Sequence, residues 1–193
     1  MPYFRSKYFF KLSTAGLISC FVFSACENDL KKIKEISELE VIKPVERSKD
    51  VEIIFSDSAK VKAKVEAPVM LNHTVAKPYR EMPNGVKITF YENLKPVNVI
   101  TAEHGIQRES ENLIELHKNV VAKNEQGDIF KSEELIWDGK NKKIRSTQPV
   151  QIFMKNGDII NGTGFESNES FYPYTLDNTT GIFNVNENPG FTQ

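Results

Sequence analysis

The chain has 193 residues, 39% of them hydrophobic and 26% charged, with a formal net charge of −1. That length holds one domain and an appendage, and the composition excludes a disordered chain and a multi-spanning membrane protein. Residues 1–25 carry three cations and no acid, so the remainder holds −4, an acidic body with no electrostatic footprint for nucleic acid.

The N-terminus reads as an address. Arg5, Lys7 and Lys11 precede the apolar and small residues 12–25, the basic and apolar regions of a secretory signal. The run falls short of the ~20 apolar residues that cross a bilayer as a helix. Phe23-Ser24-Ala25-Cys26 resembles a bacterial lipobox, with small residues at the two positions before the cysteine and Phe23 where Leu is usual. On that reading Cys26 is the first mature residue and carries the acyl chains that anchor the protein. The alternative is an uncleaved N-terminal helix with Cys26 as a bystander. In either case the body lies outside the cytoplasm, tethered to a membrane. Cys20 and Cys26 are the two cysteines of the chain, so the body after them has neither a disulfide framework nor a thiolate zinc site.

Residues 26–50 form a charged tether. Ile33, Ile36 and Leu39 are spaced as on a short amphipathic helix, which Pro44 ends. From Val51 the pattern becomes β, and residues 51–187 are expected to form one domain, with a tail at 188–193. Residues 60–67 alternate polar and apolar, as do 86–90 after the turn Pro83-Asn84-Gly85, the mark of half-buried strands. Turn residues cluster at 111–112, 124–128, 138–141, 156–158, 168–169 and 177–181. The segments between them are expected to be strands, the last at 182–185. No stretch after residue 50 keeps a helical period. The expectation is an all-β body of many short strands.

A repeat organises this body. Ile100-Thr101-Ala102-Glu103, Phe130-Lys131-Ser132-Glu133 and Ile160-Asn161-Gly162-Thr163 each run large apolar, polar, small, at a constant interval of 30 residues. Two strands fit in each period. Such a unit cannot bury its apolar face alone and gains a core by stacking on its neighbours. Alternation puts Ile88 with Phe90, Val97 with Val99, Ile114 with Leu116, Val150 with Ile152 and Tyr172 with Tyr174 on shared faces. Alternation leaves open whether those faces pack on each other or line a trough.

The chemistry-bearing residues do not form an enzyme site. His73, His104 and His117 make no helical pair and neighbour no cysteine. Glu103 and His104 are adjacent, so on a strand they point to opposite faces. No G-x-S-x-G elbow is present, and Gly162-Thr163-Gly164 is too short for a phosphate loop. No metal or cofactor is expected.

The strand-turn succession from 86 to 176 resembles a known family. Ile129-Phe130-Lys131-Ser132-Glu133-Glu134-Leu135-Ile136-Trp137-Asp138 is followed by Lys143-Ile144-Arg145-Ser146, by Pro149-Val150-Gln151-Ile152 and by Ile160-Asn161-Gly162-Thr163-Gly164-Phe165-Glu166. This order is similar to the C-terminal repeat of LptC, the periplasmic component of lipopolysaccharide export, within the wider OstA/LptA-like family. The resemblance implies a stacked antiparallel β-jellyroll with an apolar trough that holds lipopolysaccharide acyl chains. Ile88, Phe90, Val97, Val99, Ile114, Leu116, Val150, Ile152 and Phe165 are the trough candidates. It also implies residence at the periplasmic face of the inner membrane, partnership with the LptB/LptF/LptG transporter and delivery to LptA by edge-strand addition. The best-known members use an uncleaved transmembrane helix, from which the Cys26 signal departs. The residues alone leave a second reading, a structural or adhesive envelope lipoprotein whose β-stack is an interaction module.

Overall fold

The structure, a computed structural model, describes residues 45–184. The signal or anchor at 1–25, the lipidation site Cys26, the tether up to residue 44 and the tail at 188–193 lie outside the described residues.

From Glu46 the chain runs back and forth as an antiparallel meander. β1 (Glu46–Asp57) turns into β2 (Lys60–His73). β3 (Tyr79–Met82) resumes after Pro83-Asn84-Gly85 as β4 (Val86–Glu92), and β5 (Lys95–Ala102) resumes after Glu103 as β6 (His104–Arg108). A 3-10 turn at Glu109–Glu111 leads into β7 (Leu113–Lys123) and β8 (Ile129–Asp138). β9 (Lys143–Ser146) resumes as β10 (Val150–Phe153), and β11 (Ile159–Asn168) and β12 (Tyr174–Ile182) complete the stack.

The register shows that the short strands are halves of long rungs. β2 pairs β4 through residues 63–66 and β3 through residues 71–73. β7 pairs β5 with its C-terminal part and β6 with its N-terminal part. β8 and β11 each pair both β10 and β9. So β3 with β4, β5 with β6, and β9 with β10 each make one rung interrupted at its middle. The uninterrupted rungs change direction at the same level. Pro68 stands there in β2. Lys118 (φ 65°) and Asn119 (φ 48°) stand there in β7, Gly164 (φ 62°) in β11 and Asn178 (φ 49°) in β12. Residues outside the ordinary strand region break the ladder locally and bend the strand.

The bends divide the stack into two arms, one containing β4, β5 and β10, the other β3, β6 and β9. The arms face each other across one core. Phe90 of the β4 arm meets Trp137 of the β3 arm edge-on at 5.2 Å, and Phe130 meets Phe165 at 5.6 Å. The result is the expected all-β stacked antiparallel jellyroll.

The 30-residue repeat acquires a structural meaning here. Val65, Ile88, Ile100, Ala122, Phe130, Ile152 and Ile160 are direct partners along one row across the β4 arm. Each phrase therefore ends at a bend, where its small third residue, Ala102, Ser132 or Gly162, lets the rung turn. Val65-Glu66-Ala67 is a further copy of the phrase, put out of interval by the longer loop at 74–78.

Four expectations need correction. Residues 46–50, placed in the tether, belong to β1. It pairs β2 along almost its whole length, and Arg47, Lys49 and Asp50 are the charges that an edge strand carries against unwanted pairing. Residues 177–181, expected as a turn before a strand at 182–185, lie inside β12, which ends at Ile182. Asp, Asn and Gly are tolerated there because β12 is an edge with two register shifts against β11. Val97 and Val99 do not share a face: a bulge opposite Phe90 and Tyr91 turns Val97 toward the core and leaves Val99 on the outer side, with Asn98 and Ile100 buried. Tyr172 and Tyr174 also part company. Tyr172 is 68% exposed, whereas Tyr174 packs on the core.

Candidate functional site

The space between the arms is the candidate site, and its walls follow from the alternation in each rung. Ile88 and Phe90 enter it from β4, Ile114 and Leu116 from β7, Val150 and Ile152 from β10, and Phe165 from β11. All seven are between 0% and 3% exposed. Val97 packs at its margin and Val99 lies outside it. The faces are therefore closed on one another, which alternation alone could not decide.

Closure is unequal around the perimeter. At the bends, continuous backbone carries six rungs, β1, β2, β7, β8, β11 and β12, from one arm into the other. At the opposite side, the mouth, the arms end in separate rows of hairpin loops. There the contacts are made by side chains. Phe55 of β1 meets Trp137 at 5.0 Å. Lys142 of the β3 arm reaches Asp57 of the β4 arm at 3.4 Å, with both side chains more than half exposed, an ion pair of the kind that contributes little. Asn98, 3% exposed, donates from Nδ2 to the backbone carbonyl of Glu169 at 2.8 Å and accepts the amide of Glu125 at 2.9 Å. Trp137 Nε1 donates to Glu169 Oε1 at 2.9 Å. Phe171 is fully buried against Phe130, with ring centroids 5.0 Å apart.

Phe130, Trp137 and Phe171 line this interior, and Asn98 and Glu169 close it, although none of the five stands among the sequence candidates. Phe130 sits in the repeat phrase and Trp137 in the quoted motif, so a signal for both was in hand. Phe171 and Glu169 lie in a loop, where no periodicity points inward. Among the described residues every buried polar side-chain atom has a hydrogen-bond partner. The interior is thus complete in its polar bonding and offers a ligand only apolar contact.

The outer face of the β3 arm gathers the three histidines, which the sequence scatters. His73 Nε2 lies 2.9 Å from Glu81 Oε2 and His104 Nε2 lies 3.0 Å from Glu81 Oε1. The rings of His104 and His117 are 6.1 Å apart. The hydrogen bond with His104, then that with His73, holds the Glu81 carboxyl below its ordinary value. Among the described residues no group of three or more His, Cys, Asp or Glu side chains is placed to hold a metal ion.

Beside this cluster Arg108 Nε donates to Glu115 Oε1 at 2.7 Å, and that bond keeps the Glu115 carboxyl below the ordinary 4.5. A lowered carboxyl pKa contributes stability that is present above 4.5 and lost as pH falls through the depressed value. Glu115→Gln is expected to cost about 0.5–1 kcal/mol at pH 7, as a partly exposed pair does, and to flatten the loss of stability below pH 4.5. Urea unfolding at a series of pH values checks this; an acid limb as steep as that of the parent chain would contradict it.

The rungs, their bends and the buried row at Ile88, Ile100, Phe130 and Ile152 coincide with a family signature. A family model described as lipopolysaccharide-assembly, LptC-related, matches residues 84–179, from the start of β4 into β12. The chain belongs to the LptC-related family. No curated protein matches it. Family membership ties the chain to lipopolysaccharide transport and to the Lpt system, in a family of transport accessory proteins. In this LptC-related chain the matched segment contains seven of the nine trough candidates within buried walls, with Val97 at the margin and Val99 outside. The match begins after β1, β2 and β3, which extend the same meander on its N-terminal side. Among the described residues no helix is long and apolar enough to cross a membrane.

Proposed function

We propose that the chain carries lipopolysaccharide by admitting its acyl chains between the two arms. It receives the lipid from the inner-membrane LptB/LptF/LptG transporter and passes it to LptA. The observation that supports this reading is the unequal perimeter. A row of bends joins the arms on one side, while side chains alone close the other, in front of an interior whose large buried side chains are apolar. Such an interior accepts hydrocarbon at roughly 25 cal/mol per Å² of apolar surface withdrawn from water.

β1 and β12 are the free edges of the stack, and a free edge adds a partner strand through its unpaired backbone groups. β12 suits delivery to LptA better, because between Tyr174 and Ile182 its one charged residue is Asp177, whereas β1 is heavily charged. The N-terminal segment holds the protein at the periplasmic face of the inner membrane, through a lipidated Cys26 or an uncleaved helix.

The test is capture in cells. A photo-crosslinking residue at Ile88, Ile114 or Ile152 is expected to yield a lipopolysaccharide adduct, and the same residue at the outward Val99 is expected to yield none. Adducts absent from all three interior positions would sink the carrier reading and favour an envelope interaction module.

A further inference from the structure

We infer that loop 169–173 is a releasable clasp across the mouth, and that its release is the step that admits the acyl chain; this rests on the carrier reading above. Glu169 bonds to both arms at once. Its backbone carbonyl is held by Asn98 of the β4 arm and its carboxylate by the Trp137 indole of the β3 arm, at 2.8 and 2.9 Å. Two residues on, Phe171 inserts between Phe130 of one arm and Phe165 of the other, with centroids 5.0 and 6.3 Å away. The backbone gives Phe171 a φ of 59°, a left-handed conformation that a bulky side chain adopts only where its surroundings repay it.

The neighbouring loops of the β3 arm are built differently. Loop 139–142 bonds back to its own arm, through the Gly139 amide and the Asn112 carbonyl at 3.0 Å, and reaches the far arm through the exposed Lys142–Asp57 pair. Loop 169–173 is thus where buried groups fasten the mouth.

Its chemistry suits a reversible closure. Each hydrogen bond of Glu169 exchanges with water at small net cost, whereas the backbone ladder at the bends does not open without unfolding. Phe171 presents to the interior the same kind of surface that a hydrocarbon chain presents. The incoming chain therefore replaces the ring and leaves no void, which a close-packed interior would resist.

The experiment compares the full-length chain with Glu169→Ala, Glu169→Gln and Phe171→Ala. Each carries a photo-crosslinking residue at Val97, beside the mouth, and purified lipopolysaccharide is the probe. Hydrogen exchange of the amides around the mouth is followed without lipid, together with the emission of Trp137, the chain's single tryptophan. Glu169→Ala is expected to speed exchange at the β4–β5 and β7–β8 loops, shift Trp137 emission to the red and raise capture about three- to tenfold, the net weight of one ordinary hydrogen bond. Glu169→Gln keeps an oxygen to accept the indole N–H and is expected to behave as the parent. Phe171→Ala is expected to raise capture as Glu169→Ala does.

Capture by the parent chain with no increase in Glu169→Ala overturns the clasp and leaves the carrier reading standing. Capture by none of the proteins overturns the carrier reading, and the exchange data then decide the clasp alone. Faster exchange confined to the mouth in Glu169→Ala then retains the loop as a fastening of the mouth and removes it as the entry step for lipid, and unchanged exchange removes both. Glu169 is half-buried at the end of a loop, so its substitution leaves the rungs intact whether or not Phe171→Ala folds.

Discussion

Phe130→Ala is expected to lower the unfolding free energy by about 3–5 kcal/mol, the range for removing a large aromatic ring from a packed core. Phe130 is 1% exposed and stands where both arms meet. Phe165, Phe171 and Tyr174 surround it at 5.6, 5.0 and 5.8 Å. Alanine removes the common partner of all three rings. The bends hold the arms at a set separation, so the void cannot collapse fully, and that places the cost toward the upper end. Phe130→Leu keeps most of the volume and is expected to cost below about 1.5 kcal/mol. Urea titration of both variants checks the pair. A loss below 1 kcal/mol for alanine would mean that the arms do not close on this residue and that the trough stands open.

Gly162→Val is expected to strip β12 from the stack. Gly162 lies inside β11, where a Cβ would come 2.6 Å from the backbone oxygen of Asp177 and 2.5 Å from Cγ of Leu176. The first of these is backbone, so relief requires β12 to move. Overpacking of this kind costs about 1–3 kcal/mol, and here the cost falls on an edge strand paired on one side. Limited proteolysis within residues 174–182 and faster exchange of their amides are the expected readouts, with the row at Ile88 and Ile100 still protected. A variant as resistant as the parent chain would show that β12 does not press on Gly162. On the carrier reading the same variant loses delivery to LptA while still capturing lipid.

The repeat phrases show how much of this fold is legible in one dimension. Ile100, Phe130 and Ile160 predict rungs at a constant interval, and in three dimensions they occupy one row. The third residues of the phrases, small in every copy, mark where the rungs bend. The bends also explain two corrections. Asp177, Asn178 and Gly181 carry turn chemistry, and the turn they make is a bend within a strand, since a bulged edge accommodates the same backbone angles as a loop. At Val97 and Val99 alternation is the correct rule applied across a bulge, and one extra residue reverses the faces on either side. Arg47 and Lys49 read as tether because an edge strand's charges resemble a linker's.

Alternation and the 30-residue interval determined the all-β class and the stacking of paired strands, and the motif succession from Ile129 to Glu166 carried the resemblance to the LptC family, because each of these is a pattern between residues near in sequence or at a constant offset. The tertiary structure alone decided that the apolar faces close on one another, that the closure is backbone at the bends and side chain at the mouth, and that Glu169 and Phe171 fasten it. Asn98 lies 71 residues from Glu169, its partner across the mouth, and Trp137 lies 32 residues from the same Glu169 within its own arm. No local period spans such distances; only the bending of every rung at one level brings them together.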